Sequence, residues 1–153
     1  LAYYAAFFSI RAKGFSYELM CLGREKLEIH LADYKKRSDS LSNKEQDTLR
    51  DMRIVQEMYA RGFVFLPIDI YRAKAVHFQI IDGKLMPSLN SIDGLGEKAA
   101  EGIAEAAKDG PFLSREDFQS RTKVSKTLCD LMADLGLLGD LPESNQLSLF
   151  DFG

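Results

Sequence analysis

The sequence has few of the residues from which metal sites and disulfides are built. Cys21 and Cys129 are its only cysteines, and they are not spaced as C-x-x-C. We expect two buried free thiols in a reducing compartment and no zinc site. His30 and His77 have no histidine or cysteine partner at ligand spacing, so we expect neither to bind metal or catalyse. Walker loops, the G-x-S-x-G turn and H-E-x-x-H are also missing, and the chain therefore lacks the apparatus of a complete enzyme.

The chain also lacks an excess of positive charge and any long apolar run. Its 153 residues carry a net charge of −3, which argues against a protein that holds nucleic acid mainly through a basic surface. Any contact with DNA must therefore be local. The apolar stretch 1–10 has no basic leader, begins with Leu1 and is too short to span a membrane, so we expect the cut edge of a larger protein.

The first part of the chain predicts two helices. Leu27, Leu31 and Tyr34 recur at helical spacing. Ser42 and Glu45 have the S-x-x-E spacing of a capping box, and a helical apolar stripe follows them. Residues 63–86 are instead β-branched and aromatic, and their Asp-Gly pair at 82–83 predicts a short hairpin. The sequence after residue 87 is again helical.

Residues 92–96, Ile-Asp-Gly-Leu-Gly, form a glycine turn that opens into an alanine-rich helix. Gly94 and Gly96 allow positive φ and the close approach of another backbone, while Leu95 is expected to point into the core. A row of amide N–H groups at a helix N-terminus suits a phosphate. Lys98, in the first turn of this helix, is placed to contact the same phosphate. The alternative for Lys98 is a solvated surface lysine, and the alternative for the glycine turn is a turn with only a structural role.

A second and weaker copy of this pattern follows. Val124 takes the place of Leu95, but the glycines are missing, so the amide row is less secure there. Ser125 can cap the following helix, and Lys123 and Lys126 can reach a phosphate. Two helix-hairpin-helix units would pack as a pseudo-symmetric pair and contact both strands across a minor groove. Such contacts go to the backbone and ignore base sequence.

The chain ends in an apolar phrase, Gln-Leu-Ser-Leu-Phe-Asp-Phe, at 146–152. Large apolar side chains at a terminus must dock either on the chain's own core or on a partner. Gln146 as a rim hydrogen-bonder, with Leu149 and Phe150 as adjacent anchors, is typical of a peptide that fills a partner's pocket. The alternative is a tail that folds back onto its own helices.

These motifs together resemble the C-terminal end of the PolC-type bacterial DNA polymerase III alpha subunit. The resemblance rests on 62–106, 110–118, 121–128 and 141–150, and 3–15 is similar to the distal fingers of that enzyme. It implies a mainly α fold with a small β interlude. It also implies a fingers-like segment (1–86), a tandem helix-hairpin-helix domain that binds duplex DNA (87–141) and a flexible tail (142–153).

The resemblance implies the C-terminal part of a replicative DNA-directed DNA polymerase in the bacterial cytoplasm. The expected DNA-binding residues are Gly94, Leu95, Gly96, Lys98, Lys123, Val124, Ser125 and Lys126. The expected sliding-clamp-binding residues are Gln146, Leu147, Leu149 and Phe150. Tethering to the clamp would raise effective concentration and give processivity.

The metal-binding aspartates of such a polymerase would lie upstream, so this chain alone is expected to be inactive. Mg²⁺ would serve the parent polymerase and no cofactor is expected here, while a monovalent cation at the first hairpin is left open. One rival function is a DNA-repair adaptor that has the same hairpins, is recruited to the clamp and lacks polymerase activity. Another is a structural helical module that binds only protein.

Overall fold

The computed structural model describes residues 1–144, which form seven α-helices and one two-stranded sheet. The helices are α1 (Ala2–Ile10), α2 (Tyr17–Met20), α3 (Arg24–Lys36), α4 (Asn43–Ala60), α5 (Glu97–Ala107), α6 (Arg115–Thr122) and α7 (Lys126–Asp134). The strands are β1 (Gln79–Ile81) and β2 (Lys84–Met86), and short 3-10 turns cover Ser38–Ser40 and Leu89–Ser91. The mainly helical fold with a small β interlude is confirmed. None of the described helices is long and apolar enough to cross a membrane.

The helices α3 and α4 pack side by side. Both helices predicted for the first part of the chain are therefore confirmed. Leu27 and Leu31 on α3 are almost fully buried. The Ser42 side chain accepts a hydrogen bond from the Glu45 amide, and the Glu45 carboxylate accepts one from the Ser42 amide, both at 3.2 Å. The capping box therefore satisfies two amide groups where α4 begins.

The β interlude is a tight hairpin. Asp82 and Gly83 connect β1 to β2 with φ values of +52° and +74°. A two-residue hairpin loop whose twist matches that of its strands requires positive φ at both loop residues. The apolar stretch before it forms less strand than its composition indicates. Phe65 makes a single bridge to Leu85. Pro67 follows, and because proline has no amide N–H it cannot extend the ladder.

The buried apolar side chains form two clusters. One lies among α1, α3, α4 and the sheet and includes Tyr4, Phe8, Leu27, Leu31, Met52, Val55 and Leu85. The other surrounds α5, α6 and α7 and includes Leu95, Ala100, Ile103, Phe118, Val124 and Met132. Tyr17, Ile68 and Ile70, which precede residue 87 in the chain, belong to the second cluster. The division of the chain at residue 87 stays a prediction.

Candidate nucleic-acid interface

The first hairpin joins the 3-10 turn at Leu89–Ser91 to α5, so the element before this hairpin is a single turn. Gly94 has φ +84°, a conformation that strains any residue with a Cβ. Leu95 is buried, and its amide donates to the Ile92 carbonyl at 3.0 Å. The predictions of positive φ at Gly94 and a buried Leu95 are confirmed.

Gly96 does not adopt the positive φ that a glycine allows. Gly96 has φ −72° and ψ 172°, ordinary extended backbone that any residue adopts, and it is the N-cap of α5. A Cβ built at Gly96 would meet no atom within 4 Å. The fold itself therefore does not require glycine at this position.

The start of α5 is open to an external acceptor. Gly96 supplies no side-chain cap, so the amide N–H groups of the first turn have no side-chain oxygen from their own N-cap residue. Gly96 is also exposed, which leaves room for another molecule to approach those amides. A helix N-terminus with free donors is electrostatically suited to an anion.

The second hairpin repeats the backbone of the first one without its glycines. Lys123 has φ +64° and stands where Gly94 does. Val124 is buried in the place of Leu95. Ser125 has φ −67° and ψ 159°, close to the values of Gly96, and is the N-cap of α7. Alignment of the two turns places Lys123 opposite Gly94, but a lysine in the left-handed region is uncommon and the sequence analysis missed it.

The second hairpin offers fewer free donors than the first one. The Ser125 hydroxyl accepts a hydrogen bond from the Leu128 amide at 3.2 Å, so one amide of the first turn of α7 already has an acceptor. Lys126 lines a pocket with Arg115 and the acidic residues Glu116, Asp130 and Glu143. The three carboxylates outnumber the two cations there, which reduces the attraction of this end of α7 for a phosphate.

The lysines of both hairpins face solvent. Lys98, Lys123 and Lys126 are exposed, and none of them forms an ion pair within residues 1–144. Their ammonium groups are therefore available to an external anion. Carboxylates lie beside both hairpins: Asp93 and Glu97 at the first one, and Glu116, Asp130 and Glu143 near Lys126.

Arg121 fixes the framework between the hairpins, a role that the sequence analysis missed. Its guanidinium lies 4.4 Å from the centroid of the Phe112 ring and 3.3 Å from the Asp117 carboxylate. It also donates to three backbone carbonyls, those of Ala106, Gly110 and Pro111. The side chain thus closes the C-terminal end of α5 and ties it to α6. The only signal in the sequence is the i, i+4 spacing from Asp117.

The helices α5 and α6 approach each other closely at Gly102. A Cβ built there would lie 3.2 Å from the Thr122 carbonyl oxygen, a tight contact that the neighbouring backbone would have to relieve. Thr122 is the last residue of α6 and immediately precedes the second hairpin. Glycine at this position therefore suits the close packing of α5 against the end of α6.

The N-terminal segment also reaches the first hairpin. The Asp93 amide donates to both oxygens of the Glu18 carboxyl group at 3.2 and 3.3 Å, and the Ser16 hydroxyl donates to the Asp93 carboxylate at 2.9 Å. Burial, with the Asp93 carboxyl beside it, raises the pKa of Glu18 to about 7. No sequence motif indicates this contact, because the partners are far apart in the chain.

Neither cysteine forms a disulfide. Both thiols are free; Cys129 is buried as predicted, whereas Cys21 is only partly buried. Within residues 1–144, no group of three or more His, Cys, Asp or Glu side chains could hold a metal ion. The described residues therefore do not fit the Mg²⁺ site of a polymerase. The monovalent cation at the first hairpin stays a prediction.

The predicted clamp-binding residues Gln146, Leu147, Leu149 and Phe150 lie outside the described residues. The last described residues pass across the N-terminus of α6. There the Arg115 amide donates to the Pro142 carbonyl at 2.8 Å, and the Glu116 amide donates to the Glu143 carbonyl at 3.0 Å. The described chain therefore ends beside the start of α6.

Comparison with known proteins gives a consistent result. A family model described as "Helix-hairpin-helix motif" matches residues 62–147. The chain is 40% identical over 149 residues to "DNA polymerase III PolC-type" of Caldanaerobacter subterraneus subsp. tengcongensis, and 44% identical over 152 residues to the protein of the same name from Streptococcus mutans serotype c. Each alignment covers 97% of this chain, but only 11% and 10% of those relatives. The chain thus spans about a tenth of the length of the curated relatives it matches.

Proposed function

This chain belongs to the helix-hairpin-helix motif family, and we propose that its two hairpins hold duplex DNA by the phosphate backbone as part of a PolC-type replicative polymerase. The observation that carries the proposal is the repeated turn. In both copies a left-handed residue and a buried hydrophobe precede an extended N-cap residue, so each turn presents the start of a helix to the outside. Two helix N-termini presented by one packed group of helices suit the binding of two phosphates.

The first hairpin is the main phosphate site in this proposal. Its donors are the amides at Gly96 and the first turn of α5, with Leu95 pinning the turn from below and Lys98 beside it. The second hairpin, with Lys123, Val124, Ser125 and Lys126, contributes a weaker contact because Ser125 caps α7 itself. Binding through amides and a few lysines explains how a chain of net charge −3 can hold DNA, and it predicts no preference for base sequence.

The polymerase assignment is supported by the extent of the similarity. The PolC-type relatives match nearly the whole chain, including most of the first 61 residues, which the helix-hairpin-helix model does not cover. That extent favours a polymerase segment over a repair adaptor, which would share only the hairpins and the tail. In this role the chain would grip the primer-template duplex, while the catalytic carboxylates and their Mg²⁺ belong to other parts of the polymerase.

The tail completes the proposal. We assign Gln146, Leu147, Leu149 and Phe150 to a pocket on the sliding clamp, with Phe150 as the buried anchor. A tether of this kind turns dissociation from DNA into a local event that is quickly reversed, because the clamp keeps the effective concentration high.

The test is the salt dependence of DNA binding. If the hairpins contact about two to four phosphates, the logarithm of the affinity for a primer-template duplex should fall with log salt at a slope of about −2 to −4. Fluorescence anisotropy of a labelled duplex measures this slope. A slope near zero would contradict the phosphate contacts.

A matched pair of lysine variants separates a hairpin contact from a general loss of charge. Lys98 and Lys44 are both exposed at the second position of a helix, in α5 and α4 respectively. Lys98→Ala should weaken binding and reduce the salt slope by about one, because one phosphate contact is lost. Lys44→Ala should leave both unchanged. Equal effects of the two substitutions would mean that Lys98 acts only through the net charge.

A further inference from the structure

The residue just before the glycine turn is held at two points by the N-terminal segment. The Asp93 amide is bound by the Glu18 carboxyl group, and the Asp93 carboxylate is bound by the Ser16 hydroxyl. Gly94, with its positive φ, follows directly. Because both the main chain and the side chain of Asp93 are fixed, the direction in which the turn leaves residue 93 is fixed as well.

The Ser16 side of this contact is buried, whereas the hydrogen bonds between Glu18 and Asp93 lie at the surface. Ser16 is only 3% exposed and caps α2 by accepting from the Leu19 amide at 3.3 Å, so its single hydroxyl proton remains for Asp93. Tyr17 lies between Ser16 and Glu18 and belongs to the same buried cluster as Leu95. Ser16 and Tyr17 are thus anchored in the core, and Glu18 extends from them to the first hairpin.

We propose that Ser16 and Glu18 are positioning residues for the first hairpin, holding Asp93 so that the amides around Gly96 point at a phosphate. The inference rests on the proposed function. It adds that DNA binding by the hairpin depends on residues near the start of the chain, which are not part of the helix-hairpin-helix pattern.

The charge of Glu18 offers a way to measure this positioning role. The titratable groups that face Glu18 are Asp93 on the hairpin and Tyr17 and Cys21 on or next to α2, while Tyr34 of α3 faces Asp93. No lysine or arginine is among the causes of the raised pKa of Glu18, which is about 7. Below pH 7 the neutral Glu18 carboxyl accepts from the Asp93 amide without adding charge. Above pH 7 its carboxylate adds one negative charge beside the phosphate site, so DNA affinity should fall as the pH rises.

The experiment follows the ¹⁵N amide resonances of residues 93–95 from pH 5.5 to 8.5 without DNA, and the affinity for a primer-template duplex in the same buffers. For the unaltered chain we expect the three amides to shift with a midpoint near pH 7 and the affinity to drop about threefold across it, the effect of one added charge nearby. Glu18→Gln keeps an acceptor for the Asp93 amide and cannot ionise. It should abolish both transitions and bind at pH 8 about as tightly as the unaltered chain binds at pH 6.

Two controls isolate the positioning role. Glu97→Gln removes the same charge beside the hairpin but leaves the Glu18–Asp93 pair, so both transitions should persist. Ser16→Ala and Ser42→Ala each remove a helix cap, but only Ser16→Ala should weaken DNA binding at pH 6. A transition that survives Glu18→Gln, or binding with no pH dependence, would overturn the positioning role. No DNA binding at any pH by the folded chain would contradict the proposed function instead, while the amide titration would still report the contact.

Discussion

Removing the side chain of Arg121 should destabilise the chain more than any surface charge change. In the structure its guanidinium satisfies three backbone carbonyls at the end of α5 and covers the Phe112 ring. Arg121→Ala would leave the Ala106 carbonyl with only backbone donors, including the Asp109 amide at 3.1 Å, while water can replace Arg121 at the exposed Pro111. The loss is therefore dominated by the partly buried hydrogen bonds to the Ala106 and Gly110 carbonyls, the ring contact and the partly buried ion pair with Asp117.

The size of this loss follows from those contacts. A hydrogen bond from a charged donor contributes about 1.5–3 kcal/mol, and a partly desolvated cation over an aromatic ring about 1 kcal/mol. Since the Arg121 side chain is 25% exposed and the terms are not additive, we expect a total of about 3 kcal/mol. For a chain of this size that corresponds to a fall in Tm of roughly 6–12 °C.

Urea unfolding followed by circular dichroism would measure the loss. Arg50→Ala is the matched control, because Arg50 forms an exposed ion pair with Asp47 on α4 and should contribute less than about 1 kcal/mol. Arg121→Lys should recover only part of the stability, because an ammonium cannot reach carbonyls in the planar fork geometry of a guanidinium. An Arg121→Ala variant as stable as Arg50→Ala would refute the framework role of this side chain.

Two further outcomes are expected. Folding raises the pKa of Glu18 from 4.5 to about 7, so between these pH values the folded chain binds a proton that the unfolded chain has lost, and its stability falls as the pH rises through this range. Glu18→Gln should therefore raise Tm relative to the unaltered chain at about pH 8 and change Tm little at about pH 4.5. An equal difference in Tm at both pH values would exclude this linkage. Phe150→Ala should weaken binding to the sliding clamp by about 2 kcal/mol in calorimetry and leave DNA binding intact, and an unchanged clamp affinity would retire the tail assignment.

Local features of the fold could be predicted from the sequence because they depend on neighbouring residues. The capping box at Ser42 and Glu45 and the Asp-Gly hairpin at 82–83 both formed as their spacing indicated. The positive φ of Gly94 belongs to the same class. Such features involve a few adjacent backbone groups, and their energetics hardly depend on the rest of the chain.

Features that join distant segments could not be predicted in the same way. The hydrogen bonds between Glu18 and Asp93 connect residues 75 apart in the chain, and nothing in either local sequence marks them. Lys123 adopts a left-handed conformation against its own preference because α6, α7 and the buried Val124 impose the turn. Tertiary packing overrides local propensity in such places, and Gly96 shows the converse, a glycine that the backbone does not require.

The duplex affinity of Gly96→Val, measured beside its thermal unfolding, tests the central claim most directly. A Cβ at this position meets no atom within 4 Å and the backbone is unstrained, so we expect only the weaker N-cap to be felt, at about 1 kcal/mol and a few degrees in Tm. If a phosphate approaches the amides at this position, the side chain will block it and the affinity should fall about tenfold or more. A folded Gly96→Val chain that binds the duplex as tightly as the unaltered chain would contradict the account.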